Sequence, residues 1–164
     1  MLIHLVRHGI AADVAVGGRD EDRELTEEGV AKLRRAGKAW RELVEPTEIW
    51  SSPLRRAQQT AAILAKAVRF DGEVRTVDGL RPEDPVLEVV QQLEQALQAG
   101  TVSVVLVGHE PHLGCLLGYL LHGREHAAIP LRKGMLATVE TLSATSVQGR
   151  LRVVLGQRTA ARLA

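Results

Sequence analysis

Short apolar runs alternate with longer amphipathic segments along the whole chain, and this alternation constrains the fold more than any other feature. Apolar residues at helical spacing predict helices, and the short runs predict strands. Strands that alternate with helices are typical of an α/β protein with a largely parallel sheet. The sequence therefore predicts a three-layer α/β/α sandwich. We expect a single domain over residues 1–164, a length that is ample to bury a core.

Six strands are predicted, and one of them is almost entirely apolar. They cover residues 2–6, 49–51, 74–77, 102–107, 135–141 and 151–155. The run 102–107 is interrupted only by Ser103, which predicts a central strand covered on both faces. The last two runs are joined by a polar stretch containing Gln148-Gly149, and they predict a closing hairpin.

Four helices are predicted, three of them from capping patterns. Thr26 precedes Glu27-Glu28, which favours a helix N-terminus with acids at its positive end. Ser52-Pro53 and Asp84-Pro85 are both interpreted as a cap followed by proline at the first helical position. The fourth helix is predicted from about residue 111 to residue 121.

Composition and charge exclude several classes of protein. The formal net charge of +1 leaves no overall basic field to attract nucleic acid or anionic lipid. Cys115 is the single cysteine, which excludes an internal disulfide and a multi-cysteine metal site. The chain starts in a strand-like run, and no run reaches the length of a membrane span. We expect a cytoplasmic protein with neither a membrane nor a nucleic acid as partner.

Reactive side chains follow three of the predicted strands. Arg7-His8-Gly9 follows the first, Arg55-Arg56 comes shortly after the second, and Gly108-His109 ends the run 102–107. In open parallel sheets, ligands bind beyond the carboxyl ends of the strands. If these three strands are neighbours, two histidines and at least two arginines converge at one edge of the sheet.

This set of side chains suits phosphoryl transfer. Guanidinium groups match phosphate oxygens with paired hydrogen bonds, and a helix N-terminus adds backbone donors. A neutral imidazole is a nucleophile that can split one displacement into two easier ones. Nearby arginines disfavour the protonated imidazole and help to keep it neutral. A second histidine, if cationic, could stabilise charge on the transferring group.

The three segments resemble the histidine phosphatase superfamily, which has the phosphoglycerate-mutase-like fold. The resemblance rests on Arg7-His8-Gly9, on the segment 52–61 with its Arg56-Ala57 pair and on the segment 107–111, and it covers nearly the whole chain. It implies that His8 is the nucleophile of a covalent phosphohistidine intermediate. It also implies that Arg7, Gly9, Arg56 and His109 bind the phosphate. Arg56 is preferred over Arg55 because the family arginine immediately precedes the alanine.

Within the superfamily the chain is most similar to the small SixA-type phosphohistidine phosphatases. The shared features are the short length, the segment 22–29 and the compact segment 81–85. The resemblance implies an open site and a phosphohistidine-bearing protein as substrate, with no cofactor. One alternative is a phosphomonoesterase acting on a small phosphorylated substrate, although Ile10-Ala11-Ala12 lacks the polar phosphate contact that such members often carry. Another is a phosphate- or phosphopeptide-binding module without turnover, against which the intact His8 argues.

The remaining polar residues receive weaker interpretations. Glu83 and Asp84 are candidate proton donors, although Asp84 is equally explained as a helix cap. His109-Glu110-Pro111-His112 lacks the i, i+4 spacing of a zinc protease site, so no metal is expected. Arg55 is interpreted as a solvated helix residue and Cys115 as core. The other histidines are interpreted as structural or surface residues; they are His4, His112, His122 and His126.

Overall fold

The computed structural model describes residues 1–14, 16–125 and 129–163. Its strands are β1 (Leu2–Arg7), β2 (Glu48–Ser51), β3 (Val74–Thr76), β4 (Ser103–Gly108), β5 (Leu136–Thr141) and β6 (Gly149–Leu155). Its helices are α1 (Glu27–Leu43), α2 (Arg55–Val68), α3 (Val86–Gln98), α4 (His112–His122) and the short α5 (Gln157–Ala160). All predicted strands and helices are present. Helix α5 and two short 3-10 helices, Asp20–Asp22 and Asp78–Leu80, were not predicted.

One mostly parallel sheet organises the chain, which confirms the predicted fold class. The strand order is β3-β2-β4-β1-β5-β6. Strands β3, β2, β4 and β1 are parallel to one another. Strand β5 runs antiparallel to β1, and β6 runs antiparallel to β5. The closing hairpin is thereby confirmed. Because β2, β4 and β1 are adjacent, their carboxyl ends lie side by side at one edge.

Helices cover both faces of the sheet, as strand β4 shows. Val104 and Leu106 point into the core cluster that includes α3 and α4. Val105 and Val107 point to the opposite face, into the cluster that includes α1 and α2. Successive side chains of a strand alternate between faces, so an uninterrupted apolar strand requires a layer on each side. The strand ends are therefore anchored by two hydrophobic cores.

Two of the predicted helix starts are wrong. Helix α2 begins at Arg55 and is preceded by an extended Leu54, so Pro53 is not its first residue. The Ser52 hydroxyl accepts the Leu54 N–H at 3.3 Å and thus stabilises the turn before the helix. Helix α3 begins after Pro85 and has no side-chain cap, so Asp84 does not cap it. By contrast, Thr26 caps α1 as predicted and accepts the Gly29 N–H at 3.0 Å.

Candidate active site

His8 lies just beyond β1, at the carboxyl edge of the sheet, and is 5% exposed. Its Nδ1 lies 2.7 Å from the carbonyl oxygen of Gly9. A carbonyl can only accept a hydrogen bond, so Nδ1 carries the proton and Nε2 carries the lone pair. Burial lowers the pKa of His8 to about 4, and the charges of Arg56, Arg7 and Lys133 add to that effect. His8 is therefore a neutral imidazole near pH 7, and burial contributes more than the arginines invoked from the sequence.

His109 follows β4 and faces His8 across the edge of the sheet. The two imidazole centroids are 5.0 Å apart. The Nε2 of His109 lies 2.8 Å from the Ser52 hydroxyl, which is itself completely buried. If Ser52 donates this hydrogen bond, the proton of the neutral His109 resides on Nδ1. Burial and the neighbouring His8 lower the pKa of His109 to about 3, so in the unliganded site His109 is a neutral donor and not a cation.

Arg7 is attached to the backbone of the segment that precedes β5. Its Nη1 donates to the Leu131 carbonyl at 2.8 Å, and the Leu131 N–H donates to Glu110 Oε1 at 3.0 Å. Burial lowers the pKa of Arg7, and the Glu110 carboxylate opposes that shift. The backbone N–H and carbonyl of one residue, Leu131, thus position both side chains. The sequence analysis missed the contribution of Glu110 because it depends on a segment that is distant in the chain.

Arg56 lies in the first turn of α2 and is 4% exposed. Its Nη1 donates to the backbone carbonyl of Asp20 at 2.6 Å, and its Nη2 donates to Asp20 Oδ2 at 2.8 Å. Hydrogen bonds from Arg23 and Arg56 lower the pKa of the Asp20 carboxyl. Asp20 therefore occupies donors that a phosphate would otherwise use. Sequence reasoning missed Asp20 because it lies in a loop outside every recognised motif.

Three buried donor atoms of the candidate site lack a hydrogen-bond partner within the described residues: Arg7 Nε, Arg56 Nε and His109 Nδ1. A buried polar atom without a partner costs about 1–3 kcal/mol. The charge of Arg56 acts on the pKa of both histidines, and that of Arg7 acts on His8, so these groups are close together. An oxyanion beside His8 would satisfy such donors.

Gly9, the residue after His8, is hydrogen-bonded to Thr60 on α2. The Gly9 N–H donates to Thr60 Oγ1 at 3.1 Å, and Thr60 donates to the Arg56 carbonyl at 2.7 Å. A Cβ at Gly9 would lie only 2.6 Å from Leu33 Cδ1. In this arrangement Gly9 links β1 to α2, and its predicted phosphate contact stays a prediction.

The candidate proton donors lie on the exposed side of the site. Glu83 lines a pocket of about 340 Å³ together with Asp20 and Arg81. Asp84 is only partly buried, and its charge acts on the buried His112. Arg55 forms an ion pair with Glu24, and both side chains are about half exposed, which agrees with a solvated role.

Among the other described histidines, His112 is near the pair His8 and His109, because its charge contributes to the lowered pKa of His109. His4 is buried in β1, with Thr138 Oγ1 at 2.9 Å and Ser103 Oγ at 3.2 Å from its ring nitrogens. His112 is buried at the start of α4, His122 is exposed, and His126 lies outside the described residues. Cys115 is partly buried against the core. Within the described ranges, no group of three or more His, Cys, Asp or Glu is placed to hold a metal ion, and no helix is long and apolar enough to cross a membrane.

The mostly parallel six-stranded sheet is that of the phosphoglycerate-mutase-like fold. The model of the histidine phosphatase superfamily (branch 1) matches residues 3–85. The chain belongs to this superfamily. It is also 38% identical over 115 residues to an uncharacterised protein of Picosynechococcus, covering 70% of this chain and 69% of that protein.

Solved structures agree with this assignment. The protein histidine phosphatase SixA in complex with tungstate has a TM-score of 0.87 and 24% identity, covering 96% of this chain and 98% of that one. A protein named as a phosphohistidine phosphatase SixA from Agrobacterium tumefaciens has a TM-score of 0.77 and 28% identity, with 94% and 97% covered. A mycobacterial glucosyl-3-phosphoglycerate phosphatase has a TM-score of 0.73 and 21% identity, with 93% and 97% covered.

Proposed function

We propose that this protein is a metal-independent phosphatase that transfers the phosphoryl group of a phosphohistidine-bearing protein to His8 and then to water. The observation that carries the proposal is the arrangement around His8. A neutral imidazole with its lone pair on Nε2 faces His109. His109 Nδ1 and the Nε atoms of Arg7 and Arg56 are buried and have no hydrogen-bond partner among the described residues. Charge dispersed over a phosphoryl group needs such preorganised donors.

In the first step, His8 Nε2 forms a bond to phosphorus as the bond from phosphorus to the leaving group breaks. The Gly9 carbonyl holds the Nδ1 proton, so it fixes both the tautomer and the ring orientation. Arg7, Arg56 and the Nδ1 proton of His109 stabilise the three equatorial oxygens. The anionic phosphoryl group raises the pKa of His109 and strengthens that hydrogen bond.

In the second step, water attacks the phosphorus of phospho-His8, and the nitrogen–phosphorus bond breaks. Free phosphate leaves, and the imidazole returns to its neutral state. The same donors serve both steps because the phosphoryl oxygens stay between Arg7, Arg56 and His109. The side chains that we propose for this chemistry come from this chain alone, so no step is assigned to a metal ion.

The leaving group supports phosphohistidine as the substrate. An imidazole can take up a proton near neutral pH, before or during cleavage, whereas an alkoxide needs a proton from a positioned acid. Two carboxylates near the site, Glu83 and Asp20, are on exposed segments, and a third, the partly buried Glu110, accepts the Leu131 N–H beside Arg7. The likeness to proteins named SixA supports the same substrate class.

A small phosphomonoester is the second candidate substrate. The observation in its favour is the pocket formed by Arg19, Asp20, Arg81 and Glu83, which adjoins Arg56 through Asp20. Its volume of about 340 Å³ is sufficient for a small phosphorylated molecule. The fold shared with the glucosyl-3-phosphoglycerate phosphatase agrees with this alternative.

The proposal is tested by trapping the phosphoenzyme in the presence of EDTA. Wild-type protein is mixed with a peptide carrying radiolabelled phosphohistidine and quenched within the first turnover. We expect label on His8 that is stable in alkali and labile in acid. His8→Ala should carry no label, whereas His122→Ala, altered at an exposed histidine, should be labelled like wild type.

Three results would contradict parts of the proposal. Label on another residue would refute His8 as the nucleophile. Loss of labelling in EDTA, restored by a divalent cation, would refute metal independence. A higher kcat/KM for a sugar phosphate than for the phosphohistidine peptide would favour the small-molecule alternative.

A further inference from the structure

A basic groove lies outside the candidate active site, between α1, the segment 131–135 and α5. It has a volume of about 610 Å³. Six of its lining residues are basic: Lys32, Arg35, Arg132, Lys133, Arg158 and Arg162. The other lining residues are uncharged, and no acidic residue lines the groove in the part of the chain that the structure describes. We call this feature the basic groove.

The charge of the basic groove is largely uncompensated. Lys32 forms an i, i+4 ion pair with Glu28. The other five cations form no ion pair within 4.0 Å among residues 1–14, 16–125 and 129–163. In a protein with a net charge of only +1, six cations in one groove concentrate the positive potential locally. Such a potential attracts an anionic partner and accelerates its association.

The backbone beneath these side chains is fixed. The Gly134 N–H donates to the carbonyl oxygens of Arg7 and His8 at 3.0 and 3.2 Å, which holds the turn carrying Lys133 against the end of β1. Helix α5 packs against α1, and Ala160 is completely buried in the core that they share. The long cationic side chains therefore extend from a rigid frame into solvent.

Lys133 connects the basic groove with the candidate nucleophile. Lys133 immediately precedes Gly134, which bonds to His8, and the charge of Lys133 contributes to the lowered pKa of His8. Arg35 on α1 and Arg158 and Arg162 at α5 line the same groove. A protein surface that reaches His8 therefore also lies close to Lys133, which is part of the groove lining.

We propose that the basic groove docks the acidic surface around the phosphohistidine of a partner protein, and this inference rests on the proposed function. Arg35, Arg132, Lys133, Arg158 and Arg162 are exposed and come from three separate segments, which suits carboxylates spread over a surface. A small anion is held instead by converging, enclosed donors. Among the described residues, no aromatic side chain lines the groove, so that lining offers no stacking platform of the kind that single-stranded nucleic acids use.

The test uses two phosphohistidine peptides that differ only in their flanks, with four glutamates on each side in one and four glutamines in the other. The groove variant is the triple substitution Arg35→Gln, Arg158→Gln and Arg162→Gln. The matched control also removes three exposed charges, by Lys38→Gln, Lys66→Gln and Arg124→Gln. Lys133 is left unchanged because it acts on His8.

We expect wild type to prefer the glutamate peptide by about tenfold in kcat/KM at low salt, as several exposed charge pairs would give. The preference should decrease with added salt. The groove variant should lose it, and the control should keep it. Both variants should hydrolyse an aryl phosphate at the wild-type rate. An unchanged preference in the groove variant would overturn the proposal.

Binding measurements separate this inference from the proposed function. Anisotropy titration with the unphosphorylated peptides reports docking without turnover. Tighter binding of the glutamate peptide, lost in the groove variant, supports docking even if neither phosphopeptide is hydrolysed, in which case the proposed function fails alone. Equal binding of the two peptides overturns docking. A labelled single-stranded oligonucleotide that binds more tightly than the glutamate peptide, and only with an intact groove, would also overturn it.

Discussion

The candidate site has two halves that differ in how the protein holds them. The inner half consists of Arg7, His8, Arg56 and His109, which come from strand ends and from the first turn of α2. His8 and His109 are 5% and 2% exposed, and both rest on strands with a hydrophobic core on each face. The outer half consists of Asp20, Arg81 and Glu83, which lie on connecting segments around an open pocket.

Because of this difference, we expect the inner half to carry the phosphoryl transfer and the outer half to influence only which substrate binds. Burial gives the inner half neutral histidines and donors without partners, which a transferring phosphoryl group can use. Exposure leaves the outer half solvated, where a single charge contributes little. We therefore expect large effects from inner-half substitutions and small effects from outer-half substitutions.

The largest effect is expected from Arg56→Ala. Removing one preorganised donor costs about 3 kcal/mol of transition-state stabilisation, or roughly two orders of magnitude in kcat/KM. Arg55→Ala is the matched control, because its side chain is 59% exposed and paired with Glu24. That substitution should change kcat/KM by less than about fivefold. A larger loss for Arg55→Ala than for Arg56→Ala would show that the motif register is off by one residue.

The second prediction concerns the dependence of stability on pH. Burial lowers the pKa of His4, His8, His109 and His112 below the usual histidine value of about 6.5, to about 4 for His4 and His8 and to about 3 for His109. The unfolded chain then binds more protons than the folded protein below about pH 6.5. The contribution of the neutral histidines to the free energy of unfolding is fully present above about pH 6.5 and is lost as the pH falls through their folded pKa values. The limiting slope is about 1.4 kcal/mol per pH unit for each histidine.

Urea unfolding between about pH 7 and about pH 5 measures this slope. The double substitution His8→Asn and His109→Asn should reduce it by about half, because two of the four shifted histidines are removed. His122→Asn, at an exposed position, should leave it unchanged. Equal slopes for the double variant and wild type would show that the inner half is not the source of the histidine linkage.

The two halves also differ in how far the sequence could predict them. The apolar run of β4 requires a central strand, so the position of His109 at its end follows from hydrophobic patterning. The convergence of His8, Arg56 and His109 then needs only the order β2-β4-β1, and the three motifs favoured that order. These residues depend on periodic burial, which is visible along the chain.

The contacts of the outer half, and those that connecting segments make to the inner half, depend on loop conformation, for which the sequence has no periodic pattern. Asp20 and Arg56 are hydrogen-bonded although they are 36 positions apart in the chain, and Leu131 and Arg7 although they are 124 positions apart. Ser52 was interpreted as a helix cap because serine before proline favours one, yet its hydroxyl lies against His109. A local pattern could not reveal that a histidine at the end of another strand contacts the same hydroxyl.

A smaller effect is expected from Asp20→Asn, which tests whether the outer half restrains the inner one. The Asp20 carboxylate occupies Nη2 of Arg56, so an incoming phosphate has to displace it. Neutralising a half-exposed partner should tighten inhibition by inorganic phosphate about two- to fivefold. Asp22→Asn, in the same short turn, is the control. Unchanged or weaker phosphate inhibition in Asp20→Asn would mean that Asp20 does not compete with phosphate.

The smallest effect is expected from Glu83→Gln and Asp84→Asn with a phosphohistidine peptide. General acid catalysis typically contributes about 10² to 10⁴ in rate, so an essential acid would be obvious. An imidazole leaving group takes up its own proton near neutral pH, and we expect both variants to stay within about twofold of wild type. Asp84→Asn should also leave the free energy of unfolding nearly unchanged, because Asp84 does not cap α3.

The same two variants decide whether the outer half takes part in chemistry with other substrates. An aryl phosphate has a better leaving group than a sugar phosphate, so it depends less on an acid. Wild-type kcat/KM should therefore decrease from the phosphohistidine peptide to the aryl phosphate and then to the sugar phosphate. If the sugar phosphate is instead the best substrate and Glu83→Gln abolishes its hydrolysis, Glu83 is a working proton donor. Glu83 would then take part in the chemistry although it lies in the outer half. The pocket beside Asp20 and Arg81 would be the substrate site.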